Sequence, residues 1–107
     1  MSATDLEILR DRLRDFAAAR DWEQFHDPKN LSMALAVEAA ELLEVFQWLT
    51  PVQSRSVMES VEDAGAVSDE LADVLIYLVR IADVLGVDLA SAAESKIARN
   101  EVRFPAL

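Results

Sequence analysis

Apolar residues recur along most of this chain at steps of three and four, the spacing that places side chains on one face of an α-helix. The 107 residues include only two glycines and three prolines, too few for the many turns of a β-sheet protein. A hydrophobic content of 52% is enough for one core, and the length predicts a single domain over residues 1–107. The sequence therefore predicts a small all-α bundle.

Capping signals predict where the first helix begins. Thr4 and Glu7 have the spacing of a capping box, in which each side chain satisfies the other's free backbone amide. The apolar stripe of this helix has four members: Leu6, Leu9, Leu13 and Phe16. Residues 21–30 then interrupt the helical pattern, and Asn30 is the expected cap of the next helix.

Four further helices are expected after this interruption. Their predicted bounds are roughly residues 31–49, a short connecting helix within residues 50–65, and two more helices over residues 68–85 and 89–100. Thr50 has the position of a cap for the short helix, while Gly65 and Gly86 are expected to end helices. The predicted architecture is a four-helix bundle with a short connecting helix.

One position in the second long helix contradicts its apolar pattern. Five residues share a narrow arc of that helix: Leu31, Leu35, Leu42, Val45 and Leu49. Glu38 lies at the centre of this arc, where an aliphatic residue is expected, and Glu41 lies at its edge. Because an unpaired buried carboxylate is costly, three outcomes are open for Glu38: an ion pair with Arg80 or Lys96, protonation, or a metal ion.

A second acidic pair lies on the helix predicted over residues 68–85. Glu70 and Asp73 are three residues apart, so both carboxylates project from one side, as those of Glu38 and Glu41 do. They can be ordinary surface acids, but facing helices in a small bundle would bring both pairs around one point. Four carboxylates repel one another strongly enough to need cations. Ligands that are all oxygen favour Mg²⁺ or Mn²⁺ over Zn²⁺.

The formal charge of −10 limits the partners of this chain. An acidic surface repels nucleic-acid backbones and anionic membranes, so we expect neither as a partner. The longest apolar run, residues 74–79, is too short to cross a bilayer, and no apolar leader segment is recognisable. The chain also has no cysteine, and we expect a cytoplasmic protein.

The residues around the acidic pairs extend the pattern. Glu-x-x-Glu at residues 38–41 and Glu-x-x-Asp at residues 70–73 are accompanied by aromatic and basic segments at residues 22–26, 28–31, 46–48, 73–78, 96–100 and 103–105. In these motifs, over about residues 16–105, the chain resembles the MazG-like all-α nucleoside triphosphate pyrophosphohydrolases. It is most similar to their dCTP pyrophosphatase-like branch.

The resemblance implies a four-helix fold completed by oligomerisation, as a homodimer or homotetramer. It implies Mg²⁺-dependent hydrolysis of a (d)NTP, such as dCTP, to the monophosphate and pyrophosphate, with Mn²⁺ as a substitute and a house-cleaning role in the nucleotide pool. The metal-binding and catalytic residues that it implies are Glu38, Glu41, Glu70 and Asp73. The substrate-binding residues that it implies are Trp22, His26, Trp48, Lys96 and Asn100. Phe104 departs from the pattern, because this branch often has Tyr there.

Two other functions are open from the sequence. A non-catalytic nucleotide-binding or regulatory module of oligomerising helices has no reason to place Glu38 in an apolar stripe. A phosphoribosyl-ATP pyrophosphohydrolase is a related all-α enzyme, but the aromatic segment at residues 22–26 favours the dCTP-like branch. Taken alone, the two tryptophans can be core residues, and the polar residues assigned to substrate can be solvated.

Overall fold

Residues 2–107, without the side chain of Ala3, are described by a computed structural model and form five α-helices. They are α1 (Ala3–Ala19), α2 (Pro28–Phe46), α3 (Pro51–Arg55), α4 (Val61–Leu85) and α5 (Leu89–Arg103). No strand occurs among these residues. The predicted all-α class, with four long helices and one short connecting helix, is confirmed.

The predicted cap of α1 is wrong, because a residue closer to the N-terminus takes that role. The Ser2 hydroxyl accepts the backbone N–H of Asp5 at 3.0 Å, and the Asp5 carboxylate accepts the backbone N–H of Ser2 at 3.0 Å. This capping box starts the helix at Ala3. Thr4 and Glu7 therefore lie inside α1.

The predicted cap of α2 is also wrong. Asp27, and not Asn30, accepts the backbone N–H of residue 30, at 2.8 Å, and Pro28 occupies the first turn of the helix. Proline suits that position because its missing N–H would have no partner within the helix. The Asn30 side chain instead donates to the Asp27 carboxylate at 2.8 Å, which holds the cap in place.

The connecting helix begins as predicted but does not extend to Gly65. Thr50 and Gln53 form the expected capping box, with hydrogen bonds of 2.9 and 3.2 Å. α3 stops at Arg55, and α4 begins well before residue 68 because Ser60 caps it through the backbone N–H of Asp63. Gly65 thus lies within α4, at a position exposed to solvent.

The C-terminal end of α4 and the start of α5 follow their signals. Gly86 ends α4 in the left-handed conformation, with φ of 69°, which a glycine adopts without steric cost. Asp88 caps α5 by accepting the backbone N–H of Ser91 at 3.0 Å. α5 continues to Arg103, three residues beyond its predicted end.

The core is small and lies where α4 packs between α2 and α1. Its buried apolar residues are Ala17, Leu31, Val67, Val79 and Ala82. The stripe that the periodicity predicted as the core face of α4 is covered only in part, since Leu71 and Leu85 are 52% and 57% exposed. Val74 and Ile81 of the same stripe are half-buried.

α5 extends away from this core. It has no buried residue and no extensive interface with another helix of the described chain, and its Ile97 is 56% exposed. The radius of gyration is 16.4 Å, whereas a compact domain of this length has about 13 Å. The chain therefore leaves much apolar surface uncovered. None of the described helices has both the length and the apolar character that a membrane span requires.

Candidate active site

The acidic cluster forms where α2 faces α4. Glu38 and Glu41 lie one turn apart on α2, and Glu70 lies opposite them on α4. One carboxylate oxygen from each of these three residues lies within 4.8 Å of the others. All three residues are half-buried. The helix packing therefore brings together one residue of the second acidic pair and both residues of the first.

Asp73 lies beside this cluster, one turn after Glu70 on α4. It is half-buried and is not one of the three residues whose oxygens converge. Its negative charge nevertheless acts on the carboxyl groups of Glu38 and Glu70. All four acidic residues that the sequence singled out thus belong to one electrostatic site.

Two oxygens in the cluster are buried without a partner. Glu38 Oε2 and Glu70 Oε2 make no hydrogen bond within the described residues, although buried carboxylate oxygens in folded proteins almost always have one. The ion pair considered for Glu38 is not formed, because Arg80 pairs with Asp83 and Lys96 has no carboxylate partner in the described chain. That sequence-based alternative is therefore wrong for the single chain.

The crowding of carboxylates makes Glu38 a weaker acid than an ordinary glutamate. The largest cause is the hydrogen bond that a protonated Glu38 would donate to Glu70, followed by burial and by the proximity of Glu41 and Asp73, and together they raise the pKa of Glu38 to about 7. For Glu70 that same bond would lower the pKa, but burial and the charges of Glu41 and Asp73 outweigh it and the pKa is raised. A proton or a cation must offset the negative charge here.

The residues of the cluster fit a hard divalent cation. Every donor is a carboxylate oxygen, and such oxygens are the ligands that ions of the Mg²⁺ and Mn²⁺ class prefer. The unpartnered oxygens of Glu38 and Glu70 are the atoms that such an ion would satisfy. The predicted metal site therefore has suitable donors in suitable proximity.

An apolar pocket of about 200 Å³ lies further along α4. Trp22 and His26 from the loop after α1 form one wall, and Tyr77 and Arg80 of α4 form another. The rings of Trp22 and His26 have centroids 6.3 Å apart. Phe16 packs edge-on against Trp22, with centroids 5.6 Å apart, and holds that indole in place.

The pocket and the acidic cluster share one face of α4. Glu70, Asp73, Tyr77 and Arg80 follow one another at steps of three, four and three residues, so their side chains leave the helix on one side. With a rise of about 1.5 Å per residue, Asp73 and Arg80 are about 10 Å apart along the helix axis. A single elongated ligand can therefore contact both.

Residues 33–106 match the sequence profile of the MazG-like family. This chain belongs to the MazG-like family. The resemblance to this family that the sequence motifs indicated is confirmed, and the four-helix fold is the one expected.

Named relatives of this MazG-like protein include the dCTP pyrophosphatases 1 of Homo sapiens and Bos taurus. The human protein is 48% identical over 101 residues, which are 94% of this chain and 59% of that protein. The bovine protein is 43% identical over 104 residues, 97% of this chain and 62% of that protein. The chain thus spans about three fifths of the length of these relatives.

A solved structure supports the fold over nearly the whole of both chains. The crystal structure of a pyrophosphatase from Archaeoglobus fulgidus DSM 4304 is 40% identical in sequence and superposes with a TM-score of 0.88. The match covers 95% of this chain and 94% of the archaeal one. The arrangement of α2 and α4 is therefore that of a known pyrophosphatase fold.

The structure brings only two of the five predicted substrate residues of this MazG-like protein together. Trp22 and His26 share the apolar pocket. Trp48 is 87% exposed beyond the end of α2, Lys96 is exposed, and Asn100 is half-buried on α5. These last three contribute to neither the pocket nor the acidic cluster within the described protomer.

Arg80 is a pocket residue that the sequence interpretation assigned to another role. Arg80 was considered as an ion-pair partner for Glu38, but it is 7% exposed and its Nε donates to His26 Nδ1 at 3.0 Å. Its Nη1 donates to Asp83 Oδ2 at 3.0 Å. The steps from Asp73 to Tyr77 to Arg80 were the available signal, because they place Arg80 on the face that carries the carboxylates.

Proposed function

We propose that this MazG-like protein is a nucleoside triphosphate pyrophosphohydrolase that cleaves a (d)NTP to the monophosphate and pyrophosphate with Mg²⁺. Glu38, Glu41, Glu70 and Asp73 are the proposed metal-binding and catalytic residues. The observation that carries the proposal is the pair of buried, unpartnered oxygens of Glu38 and Glu70 in a cluster made of carboxylates alone. The names of the human and archaeal relatives, a dCTP pyrophosphatase and a pyrophosphatase, support the same reaction class.

The layout along α4 supports a nucleotide as the substrate. The acidic cluster suits phosphates bridged by Mg²⁺, while the pocket offers Trp22 as a flat apolar surface for a base. Because the pocket wall on α4 extends from about one to about two helical turns beyond Asp73, the two ends of one nucleotide can occupy the two places. The human relative's name favours dCTP as the preferred substrate.

The proposed chemistry needs little from the chain beyond positioning and a base. Mg²⁺ at this site would neutralise phosphate charge and make a bound water more acidic. A carboxylate of the cluster accepts the proton of the attacking water. His26 is unsuited to that task, because its Nδ1 already accepts a hydrogen bond from Arg80. The four acidic residues would hold the cation, and the cation would orient the phosphates.

We also propose a homodimer or homotetramer as the working form. Support comes from apolar residues that stay uncovered in the protomer, among them Leu71 on α4 and Ile97 on α5. The radius of gyration, 16.4 Å, is large for a lone domain of this length. Pairing of subunits would allow Trp48, Lys96 and Asn100 to approach a site of a neighbouring copy. A cytoplasmic house-cleaning role follows from the reaction proposed.

The test is a pyrophosphate-release screen over canonical and modified (d)NTPs, with Mg²⁺ and with a chelator. The parental protein is expected to release pyrophosphate only with the metal. Glu38→Gln is expected to remain folded and lose this activity, and Glu44→Gln, which alters an exposed residue of the same helix, is expected to keep it. Nucleotide binding by the parental protein without pyrophosphate release would contradict the proposal and favour a non-catalytic module.

A further inference from the structure

Arg80 is the charged residue that the described chain buries most completely, and the proposed hydrolysis does not use it. Its side chain lies in the wall of the apolar pocket, beside Trp22 and His26, and only 7% of the residue is exposed. Burying a guanidinium is costly unless its donors find partners. The contacts of Arg80 therefore need a structural or functional reason.

Arg80 is held in place by a chain of ion pairs that crosses two helices. Its Nη1 donates to Asp83 Oδ2 at 3.0 Å, and the Asp83 side chain is 9% exposed. Arg14 on α1 donates two hydrogen bonds to the same carboxylate, from Nε at 3.1 Å and from Nη2 at 2.5 Å. Asp83 thus has both oxygens occupied, and the direction of the Arg80 side chain is fixed.

The Nε–H donor of Arg80 determines which nitrogen of His26 carries the proton. Arg80 Nε donates to His26 Nδ1 at 3.0 Å. A guanidinium offers only donors, so Nδ1 must be without a proton and Nε2 must carry it. Burial, followed by the positive charge of Arg80, lowers the pKa of His26, and the opposing effect of Glu23 is smaller. His26 is therefore a neutral ring with a donor at Nε2.

We propose that Arg80 is a positioning residue that fixes His26 as an Nε2–H donor, so that the pocket prefers a pyrimidine whose ring N3 is an unprotonated acceptor. The identity of the ligand rests on the proposed function. Cytosine has such a nitrogen, whereas thymine and uracil carry a proton on N3. A donor fixed in one tautomer rejects a second donor, because the two N–H groups would face each other without partners.

The tautomer can be read directly because His26 is the only histidine of the chain. In tag-free, ¹⁵N-labelled full-length protein we expect the imidazole NMR signals of an unprotonated Nδ1 and a protonated Nε2. Arg80→Met keeps the side-chain length and removes the donors, so we expect mixed tautomers and a titration midpoint moved up towards about 6.5. Arg80→Lys should restore part of the parental spectrum. An unchanged spectrum in Arg80→Met overturns the proposal.

A matched control separates this effect from general loss of an arginine. Arg12 lies on the exposed side of α1, so Arg12→Met should leave the His26 signals and the turnover of dCTP unchanged. Thermal melts of each variant establish that it is folded. If Arg80→Met does not fold, the test is made with Arg80→Lys, which keeps the charge but lacks the rigid planar guanidinium. Its spectrum should then show more of the Nδ1-protonated tautomer than the parental spectrum, and an unchanged spectrum overturns the proposal.

The kinetic test compares dCTP with dTTP under Mg²⁺. We expect Arg80→Met to raise the KM for dCTP about tenfold, which corresponds to about 1.4 kcal/mol, with kcat nearly unchanged and with a smaller change for dTTP. Because Arg80 acts through His26, Arg80→Met should add nothing in a His26→Phe background. Independent, additive losses in the double variant would overturn the proposal.

A final measurement keeps this inference distinct from the proposed function. dCMP and dTMP are titrated into the parental protein while the His26 Nε2–H signal is followed, which requires no hydrolysis. We expect dCMP to shift that signal at lower concentration than dTMP. If dCMP does so while no triphosphate is hydrolysed, the proposed activity fails and the role of Arg80 stands. If dCMP leaves His26 unaffected, the role of Arg80 is refuted even when hydrolysis is found.

Discussion

Glu38 on α2 and Glu70 on α4 each bury one carboxylate oxygen that has no hydrogen-bond partner, and both residues belong to a cluster whose oxygens lie within 4.8 Å of one another. Such an arrangement is unfavourable in a protein that has nothing to offset the charge. The fold therefore keeps a feature that reduces its own stability, which is common where a site binds a ligand.

Glu38→Gln should stabilise the protein in the absence of divalent cations. The amide removes one negative charge from the cluster and supplies a donor that can reach the carboxylate of Glu70. We expect a higher melting temperature than that of the parental protein in chelator at pH 8. Glu44→Gln, on the exposed side of α2, should change the free energy of unfolding by no more than about 0.5 kcal/mol. A melting temperature lowered by Glu38→Gln would contradict this account of the cluster.

The same residue should make stability depend on pH in a defined window. Because the pKa of Glu38 rises from 4.5 to about 7 on folding, the folded state binds this proton more tightly than the unfolded state. The free energy of unfolding should therefore fall, through this group, as the pH rises from about 4.5 to about 7. The pKa values of His26 and Asp83 are lowered in the folded protein, so these groups also make the stability depend on pH. The measured quantity is therefore the difference in stability between Glu38→Gln and the parental protein in chelator, in which their contributions cancel. This difference should grow with pH and level off above about 7; a constant difference would argue against the raised pKa.

Asp83→Asn should be strongly destabilising. It removes the carboxylate that pairs with the buried Arg80, and the loss of one partner of a buried ion pair costs on the order of 3 kcal/mol. Urea denaturation measures the effect. Arg14→Met is the matched control, for which we expect a smaller loss of stability. The Arg14 side chain is 50% exposed, and in this variant Asp83 still pairs with Arg80. Equal losses for the two variants would show that the Arg80 pair is not the stabilising one.

Replacing each of two glycines with alanine should change the stability of the protein in opposite directions. Gly65 lies inside α4, and a methyl group there meets no atom within 4 Å, so Gly65→Ala should stabilise the protein by roughly 0.5–1 kcal/mol. Gly86 has a φ of 69°, so Gly86→Ala should destabilise it by roughly 1 kcal/mol or more. Urea denaturation of both variants measures the two changes in the free energy of unfolding. Destabilisation by Gly65→Ala would indicate that a helix ends at that residue after all.

The parts of the fold that the sequence predicted are those set by local signals. Helical periodicity, the Thr50 cap and the Gly86 stop each depend on neighbouring residues, and all three are found. Glu38 stood out because a charged residue within an apolar stripe is visible without any tertiary information. The stop at Gly65 was wrong because a single glycine costs only about 1 kcal/mol in a helix, which packing of α4 outweighs.

The parts that the sequence did not predict depend on contacts between distant segments. Arg80 meets His26 across 54 residues, and Arg14 meets Asp83 across 69. Periodicity also marks which residues of α4 are apolar but not which of them a protomer covers, so Leu71 and Leu85 are exposed where a core was expected. Lys96 lies on α5, whose position is set by what the helix packs against, and this cannot be read from the spacing of its residues.

The central claim is that Glu38, Glu41 and Glu70, with Asp73 beside them, bind a divalent cation. Isothermal titration calorimetry with MgCl₂ at pH 8 tests it most directly, using the parental protein, Glu38→Gln and the surface control Glu44→Gln. We predict saturable binding by the parental protein and by Glu44→Gln, and its loss in Glu38→Gln, together with a rise in melting temperature on adding Mg²⁺ that Glu38→Gln does not show. Undiminished Mg²⁺ binding by Glu38→Gln, or none by the parental protein, would contradict the claim.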